Sequence, residues 1–289
     1  MADWYRPTTL AEALEIRGEQ SVTPLAGGTD LYVRHRRGNG LPPAIEKPLL
    51  LVAHLEELRE ISFSDDELSI GAAVPYTTIL NDARTPALLA SSIRELAAPA
   101  LRNAGTLGGN ICNASPAADA VCPLYTLDAA CEVRSARAKR LVPVADLITG
   151  PGQTSLAQDE LLVSIRIPRP SRPDGEEMPF YRKVGTRRAN ALSKLSIAAT
   201  ASLSPDNKIS HAAIALGAVA PTVLRSREIE ARIARTVSEL DDVRDSVLDA
   251  YRDLVSPIDD QRSTAQYRRD VAVNLVRQFL DLLSAGHRS

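Results

Sequence analysis

The sequence predicts a mixed fold of strands and helices in two domains, and three observations carry that prediction. Strand and helix signals alternate through the first 85 residues, a proline-rich stretch PRPSRPDGEEMP divides the chain at 168–179, and two strand signals followed by helical ones lie beyond it. At 289 residues the chain can bury a sizeable core without disulfide or metal staples. That core must be mainly aliphatic, because 44% of the residues are hydrophobic but only 4% aromatic.

Thr9 and Glu12, just after Pro7, form a capping-box signature that opens a short amphipathic helix. VTPLAGG then runs a short strand into a glycine turn, KPLLLVAH reads as a buried strand, and REISFSDDELSIGAAV alternates around Asp65-Asp66 like a hairpin. From Pro86 to Asn103 an Ala- and Leu-rich stretch has helical spacing broken at Pro99, and LLVSIRIP supplies another strand. The domain boundary falls near residue 175, in the proline-rich stretch. Past it, KLSIAATASLS and KISHAAIALGAVAP predict strands. The last helix, in STAQYRRDVAVNLVRQFLDLLSAG, lines Val271, Leu275, Val276, Leu280 and Leu283 along one face, so it packs on something.

A formal charge of −2 removes the broad attraction that a nucleic-acid or membrane-surface binder would show. The opening residues lack a basic region before an apolar run, and nowhere are 18 consecutive residues apolar, so a cytoplasmic protein with no integral membrane segment is expected.

The most unusual stretch is RNAGTLGGNICNASPAADAVCP at 102–123, which combines small residues, glycines and two cysteines with almost no charge. A thiolate metal site needs close pairs such as C-x-x-C, but nine residues separate Cys112 from Cys122 and eight separate Cys122 from Cys131. The histidines, His35, His54, His211 and His287, are scattered. Free thiols and no metal site are therefore expected.

Neither a G-x-G-x-x-G turn nor a P-loop occurs. The chain instead carries two glycine pairs, LAGGTD at 25–30 and TLGGN at 106–110, each at or near a predicted strand end. One such pair alone reads as a tight turn or a helix cap. Two pairs followed by polar residues provide backbone N–H groups that a ligand can approach closely, and they could cradle a diphosphate. Thr29, Asp30, Thr106 and Asn110 add hydroxyl, carboxylate and amide groups beside that backbone. Asp30 and Asp119 would repel phosphate, so they suit ribose or amide partners, or turns.

With these loops in view the chain resembles the FAD-binding medium subunit of the molybdenum hydroxylases, the xanthine dehydrogenase and carbon monoxide dehydrogenase group. The resemblance spans nearly the whole chain: WYRPTTLAEAL, PLAGGTDLYV, RNAGTLGGNICNASPAADAVCPLYTLDA, ELLVSIRIP, YRKVGTRRANALSKLSIA and SPIDDQRSTAQYRRDVAVNLVRQFL. It implies that Ala26, Gly27, Gly28, Thr29 and Asp30 wrap the diphosphate of a noncovalent FAD, and that Thr106, Gly108, Gly109 and Asn110 form the second loop. It also implies that Asp119 lies near the adenosine ribose, and that Leu162 and Lys183 border the flavin ring. The implied fold is α+β: an FAD-binding domain over 1–175, of two α+β subdomains split near 55–60 and like that of the vanillyl-alcohol oxidase superfamily, then a small C-terminal α+β domain over 176–289.

The resemblance further implies the chemistry. A large subunit with a molybdenum cofactor would hydroxylate the substrate, and a small subunit with two two-iron, two-sulfur clusters would relay electrons to this flavin, the three subunits assembling as a dimer of heterotrimers. The flavin would pass the electrons to NAD, oxygen or another acceptor, and this subunit would not oxidise the organic substrate alone. Two alternatives stand beside this reading: a self-sufficient flavoprotein of the same superfamily, such as the enolpyruvyl-UDP-N-acetylglucosamine reductase, and a nucleotide-binding module with no redox role.

Overall fold

The computed structural model describes residues 3–169, 175–187 and 190–285. Residues 170–174, in the middle of the proline-rich stretch, lie outside the described residues. Two compact units result, and neither follows chain order. The first comprises the described residues up to Thr85 with Ala97–Ala114 and Ala129–Arg169, and the second comprises Pro86–Leu96, Ser115–Asp128 and the described residues from Gly175 on.

The first unit contains two larger sheets that separate between Leu51 and Ile61, and a two-stranded ribbon of Ile148–Gly150 and Gln153–Thr154. The smaller of the two sheets is parallel, in the order Trp4–Tyr5, Leu49–Leu51, Thr23–Leu25. Helix Leu10–Glu19 makes the crossover between its first two strands in sequence and buries Leu10, Ala13 and Leu14. Its N-cap is the expected one, since Thr9 Oγ1 accepts from Glu12 N at 3.2 Å. The reciprocal arm differs: the Glu12 carboxylate accepts from the backbone N–H and the hydroxyl of Thr8, at 2.6 and 2.9 Å.

The larger sheet is antiparallel, in the order Ile61–Phe63, Glu67–Gly71, Leu161–Pro168, Ala130–Arg134, Lys139–Pro143. Its first two strands are the hairpin read around Asp65-Asp66. Its central strand, Leu161–Pro168, is buried along most of its length because sheet neighbours flank it on both sides. Within this sheet Glu132 is buried on Ala130–Arg134 and pairs with Arg134, Lys139 and Arg166.

In the second unit Leu195–Leu203 and Ile209–Gly217 form the expected long antiparallel pair, joined by Glu176–Glu177, Phe180–Val184 and Leu224–Arg225. Helix Ala265–Ala285 packs on Leu195–Leu203 and on helix Leu240–Leu254. The apolar face read from the sequence does the packing: Leu275, Val276, Leu280 and Leu283 are buried, Val271 packs against the same cluster, and the Phe279 ring lies 5.8 Å from that of Phe180.

The helical stretch after Pro86 divides into Ala87–Glu95 and Pro99–Ala104. The break comes before Pro99, at extended Leu96 and at Ala97 with φ +49°, and Pro99 sits harmlessly in the first turn of the second helix, where no N–H is needed. The two pieces belong to different units. Ala87–Glu95 and helix Val121–Thr126 pack on the sheet of the second unit, which is why 86–96 and 115–128 cluster with the C-terminal residues rather than with a contiguous 1–175 block. Among the described residues no helix is long and apolar enough to cross a membrane, and no group of three or more His, Cys, Asp or Glu is placed to hold a metal ion.

Candidate functional site

The two glycine loops come together inside the first unit. The first leaves strand Thr23–Leu25 through Ala26 and Gly27, turns at Gly28 with φ +68°, and enters the short helix Leu31–Arg34. A left-handed residue at such a point is what turns successive N–H groups toward a common concavity. Gly28 and Asp30 carbonyls accept from Tyr32 and Arg34 N–H, at 3.0 and 2.9 Å. The backbone N–H groups of Gly27, Gly28, Thr29 and Asp30 have no acceptor among the described residues. Four consecutive donors left open along a loop that is half-buried at Gly27 to Thr29 and exposed at Asp30 could receive an anion.

The second loop starts at Gly105, and Thr106 caps helix Leu107–Asn113, its hydroxyl accepting from Gly109 N at 3.0 Å. The loops touch at three points. A Cβ on Gly27 would stand 1.9 Å from the Ala104 carbonyl oxygen, and one on Gly105 would stand 3.4 Å from Thr29 Oγ1. Asn113 bridges the third point, donating through Nδ2 to Asp30 at 3.2 Å and accepting from Arg34 at 2.5 Å. Asp30 is therefore an exposed carboxylate held by an amide.

Within the second loop the two glycines have different surroundings. Gly108 donates its N–H to Ala72 O at 3.1 Å, and a Cβ there would stand 2.6 Å from Ala72 atoms. Its missing side chain serves helix-to-sheet packing. Gly109 is exposed, and a Cβ there would meet Thr106 Oγ1 alone, at 3.0 Å. The next residue carries an orphan, because Asn110 Oδ1 is buried without a hydrogen-bond partner. A buried amide oxygen left unpaired costs about 1–3 kcal/mol, so Oδ1 is an acceptor that a donor from elsewhere could satisfy.

Between the loops opens a cleft of about 410 Å³, with Ala26, Gly27, Ala104 and Thr106 in its walls and His54, Arg59 and Asn103 as further polar lining. His54 donates from Nε2 to Pro7 O at 2.7 Å. His54, Arg59, Asn103 and Asn113 escaped the reading of the sequence. Asn113 lies within the second block and could have been found there; no spacing rule points to Arg59.

The remaining expected residues have other surroundings. Leu162 is buried in the central strand of the larger sheet, where Leu162 and Ser164 flank a β-bulge. Asp119 and Lys183 lie in the second unit and hold each other. Lys183 Nζ donates to Asp119 Oδ2 at 2.5 Å and to Glu95 O at 3.2 Å, and Ser193 donates to Asp119 Oδ1. Burial pushes the Asp119 carboxyl up, against the pull of Lys183 and Ser193. Both carboxylate oxygens are thus engaged within the chain, Oδ2 in a buried ion pair and Oδ1 by a hydroxyl. Cys122 is buried as well, its thiol pushed up to about 12 by desolvation, and donates to Ala215 O at 3.2 Å.

An α+β fold in which a run of unpaired loop N–H groups, Gly27 to Asp30, starts at the wall of a cleft has the features of a protein that binds a phosphorylated cofactor. Residues 1–170 match the family described as the FAD binding domain in molybdopterin dehydrogenase, and residues 180–283 match the CO dehydrogenase flavoprotein C-terminal domain. The chain belongs to this family of FAD-binding subunits of molybdenum hydroxylases. It is 31% identical to the xanthine dehydrogenase FAD-binding subunit of Escherichia coli O157:H7, over 96% of this chain and 94% of the relative. It is 30% identical to the nicotine 6-hydroxylase medium subunit of Paenarthrobacter nicotinovorans, over 98% and 96%. Among solved structures, the reconstituted CO dehydrogenase from Oligotropha carboxidovorans superposes with a TM-score of 0.85 at 26% identity, covering 96% of each chain. The residues present suit FAD: four open N–H groups can meet its diphosphate, and the orphan Asn110 Oδ1 can accept from a ring or ribose donor.

Proposed function

We propose that this chain is the electron-transfer subunit of a multi-subunit molybdenum hydroxylase, taking electrons from iron–sulfur clusters of a small partner and delivering them to NAD, oxygen or another acceptor. The observation that carries the cofactor's place is the meeting of four open N–H groups with the second loop at Gly27 and Ala104. FAD, when bound, supplies a carrier that can take electrons singly and release them in pairs. The chain's own residues bind and orient. Gly27 to Asp30 offer the anion contacts, Thr106 fixes the helix start, and Asn110 supplies an acceptor.

In this proposal the substrate is bound and hydroxylated on a large molybdenum-cofactor subunit, and the complex is a dimer of heterotrimers. Relatives named for xanthine, nicotine and carbon monoxide all align along at least 96% of this chain, which suits a subunit that does not select the substrate. The domain division near 175, the subdomain split near 55–60 and the kinship with the vanillyl-alcohol oxidase superfamily belong to the same proposal. Purification from the native source, with cofactors and subunit masses determined together, tests it. FAD on this chain with molybdenum, iron and two further subunits is expected. Substrate turnover by the chain alone would overturn it in favour of a self-sufficient flavoenzyme.

A further inference from the structure

Resting on the FAD reading above, we propose that Arg59 is the cation that neutralises the cofactor's diphosphate in the cleft between the two glycine loops. A diphosphate brings about two negative charges to a site whose open N–H groups carry only partial positive charge. The neighbouring Asp30 adds a negative charge, and Arg34, the basic residue closest to the loop in sequence, is turned to Asn113. Among the lining residues of the cleft named above, Arg59 alone is permanently cationic.

Two further observations fit this assignment. The Arg59 side chain has no ion pair or hydrogen bond among the described residues, although Glu56, Glu57 and Glu60 are close in sequence. Its backbone is held firmly. Leu58 is buried and its carbonyl accepts from Ala73 N at 2.8 Å, Glu60 O accepts from Gly71 N at 2.8 Å, and a Cβ on Gly71 would stand 3.0 Å from Arg59 N. A fixed Cα with an unengaged guanidinium at the edge of a cleft is preorganised for an incoming anion.

The test uses the full chain stripped of flavin, with FAD affinity read from flavin fluorescence at two salt concentrations and ADP-induced stabilisation read from the thermal midpoint. Arg59→Gln should weaken FAD about tenfold, flatten the salt dependence and lower the ADP response, with Arg59→Lys intermediate. Arg137→Gln, an exposed arginine away from the cleft lining, serves as the control and should bind as wild type. Wild-type affinity in Arg59→Gln, or weaker FAD binding with an unchanged ADP response, overturns the assignment while leaving the cofactor reading intact. A wild-type chain that binds no FAD overturns both.

Discussion

Gly27 lies so close to Ala104 that a Cβ on the glycine would stand 1.9 Å from the alanine's carbonyl oxygen. That approach joins residues far apart in sequence and sets the two loops on either side of one cleft. Gly27→Ala should therefore cost more than about 2 kcal/mol, because the obstacle is backbone that cannot rotate away. Gly109→Ala, which meets only a threonine hydroxyl, should cost less than about 1 kcal/mol. Denaturant midpoints of the apo variants check the order, and a Gly27→Ala chain as stable as wild type would contradict it.

Asn110 makes the opposite kind of prediction. Since its Oδ1 is already unpaired in the chain alone, Asn110→Ala should leave apo stability unchanged or slightly raised. FAD affinity should fall about tenfold if that oxygen accepts a hydrogen bond from the cofactor. Thermal midpoints and fluorescence titration on the same preparations separate the two effects.

The Lys183 and Asp119 pair should behave as structure. Lys183→Met strands a carboxylate in a buried site and should destabilise the chain by about 3 kcal/mol. Adding Asp119→Asn should recover much of the loss, so the double variant is less damaged than the sum of the single ones. Chemical denaturation across the cycle is decisive, and single variants that keep full stability but lose FAD would return both residues to the cofactor.

Glu132 predicts an acid limb. Burial raises its carboxyl, but hydrogen bonds from Lys139, Arg166 and Arg134 outweigh that and bring it down to about 2, below the 4.5 of a free glutamate. A depressed folded-state value means stability that is complete above the unfolded value and lost as pH falls from about 4.5 toward 2. Glu132→Gln should flatten that limb by an amount on the order of 2 kcal/mol, measured by denaturant titrations between these pH values.

Much of the fold was legible because it follows local rules. The Thr9 cap, the hairpin at Asp65-Asp66, the paired strands 195–203 and 209–217 and the apolar face of the last helix all depend on periods and turns within one segment. The two glycine loops were legible for the same reason, as glycine pairs with polar followers.

The sequence by itself therefore determined the elements, the two glycine loops and the family blocks that carry them, since each is written in neighbouring residues. Tertiary structure alone decided that Gly108 serves packing against Ala72 while Gly109 stays open, that Arg59 joins the cleft, and that Lys183 and Asp119 satisfy each other. It also decided that 86–96 and 115–128 pack with the C-terminal sheet. The reason is physical: close approach and charge pairing depend on which distant segments share a core, and no local period encodes that choice.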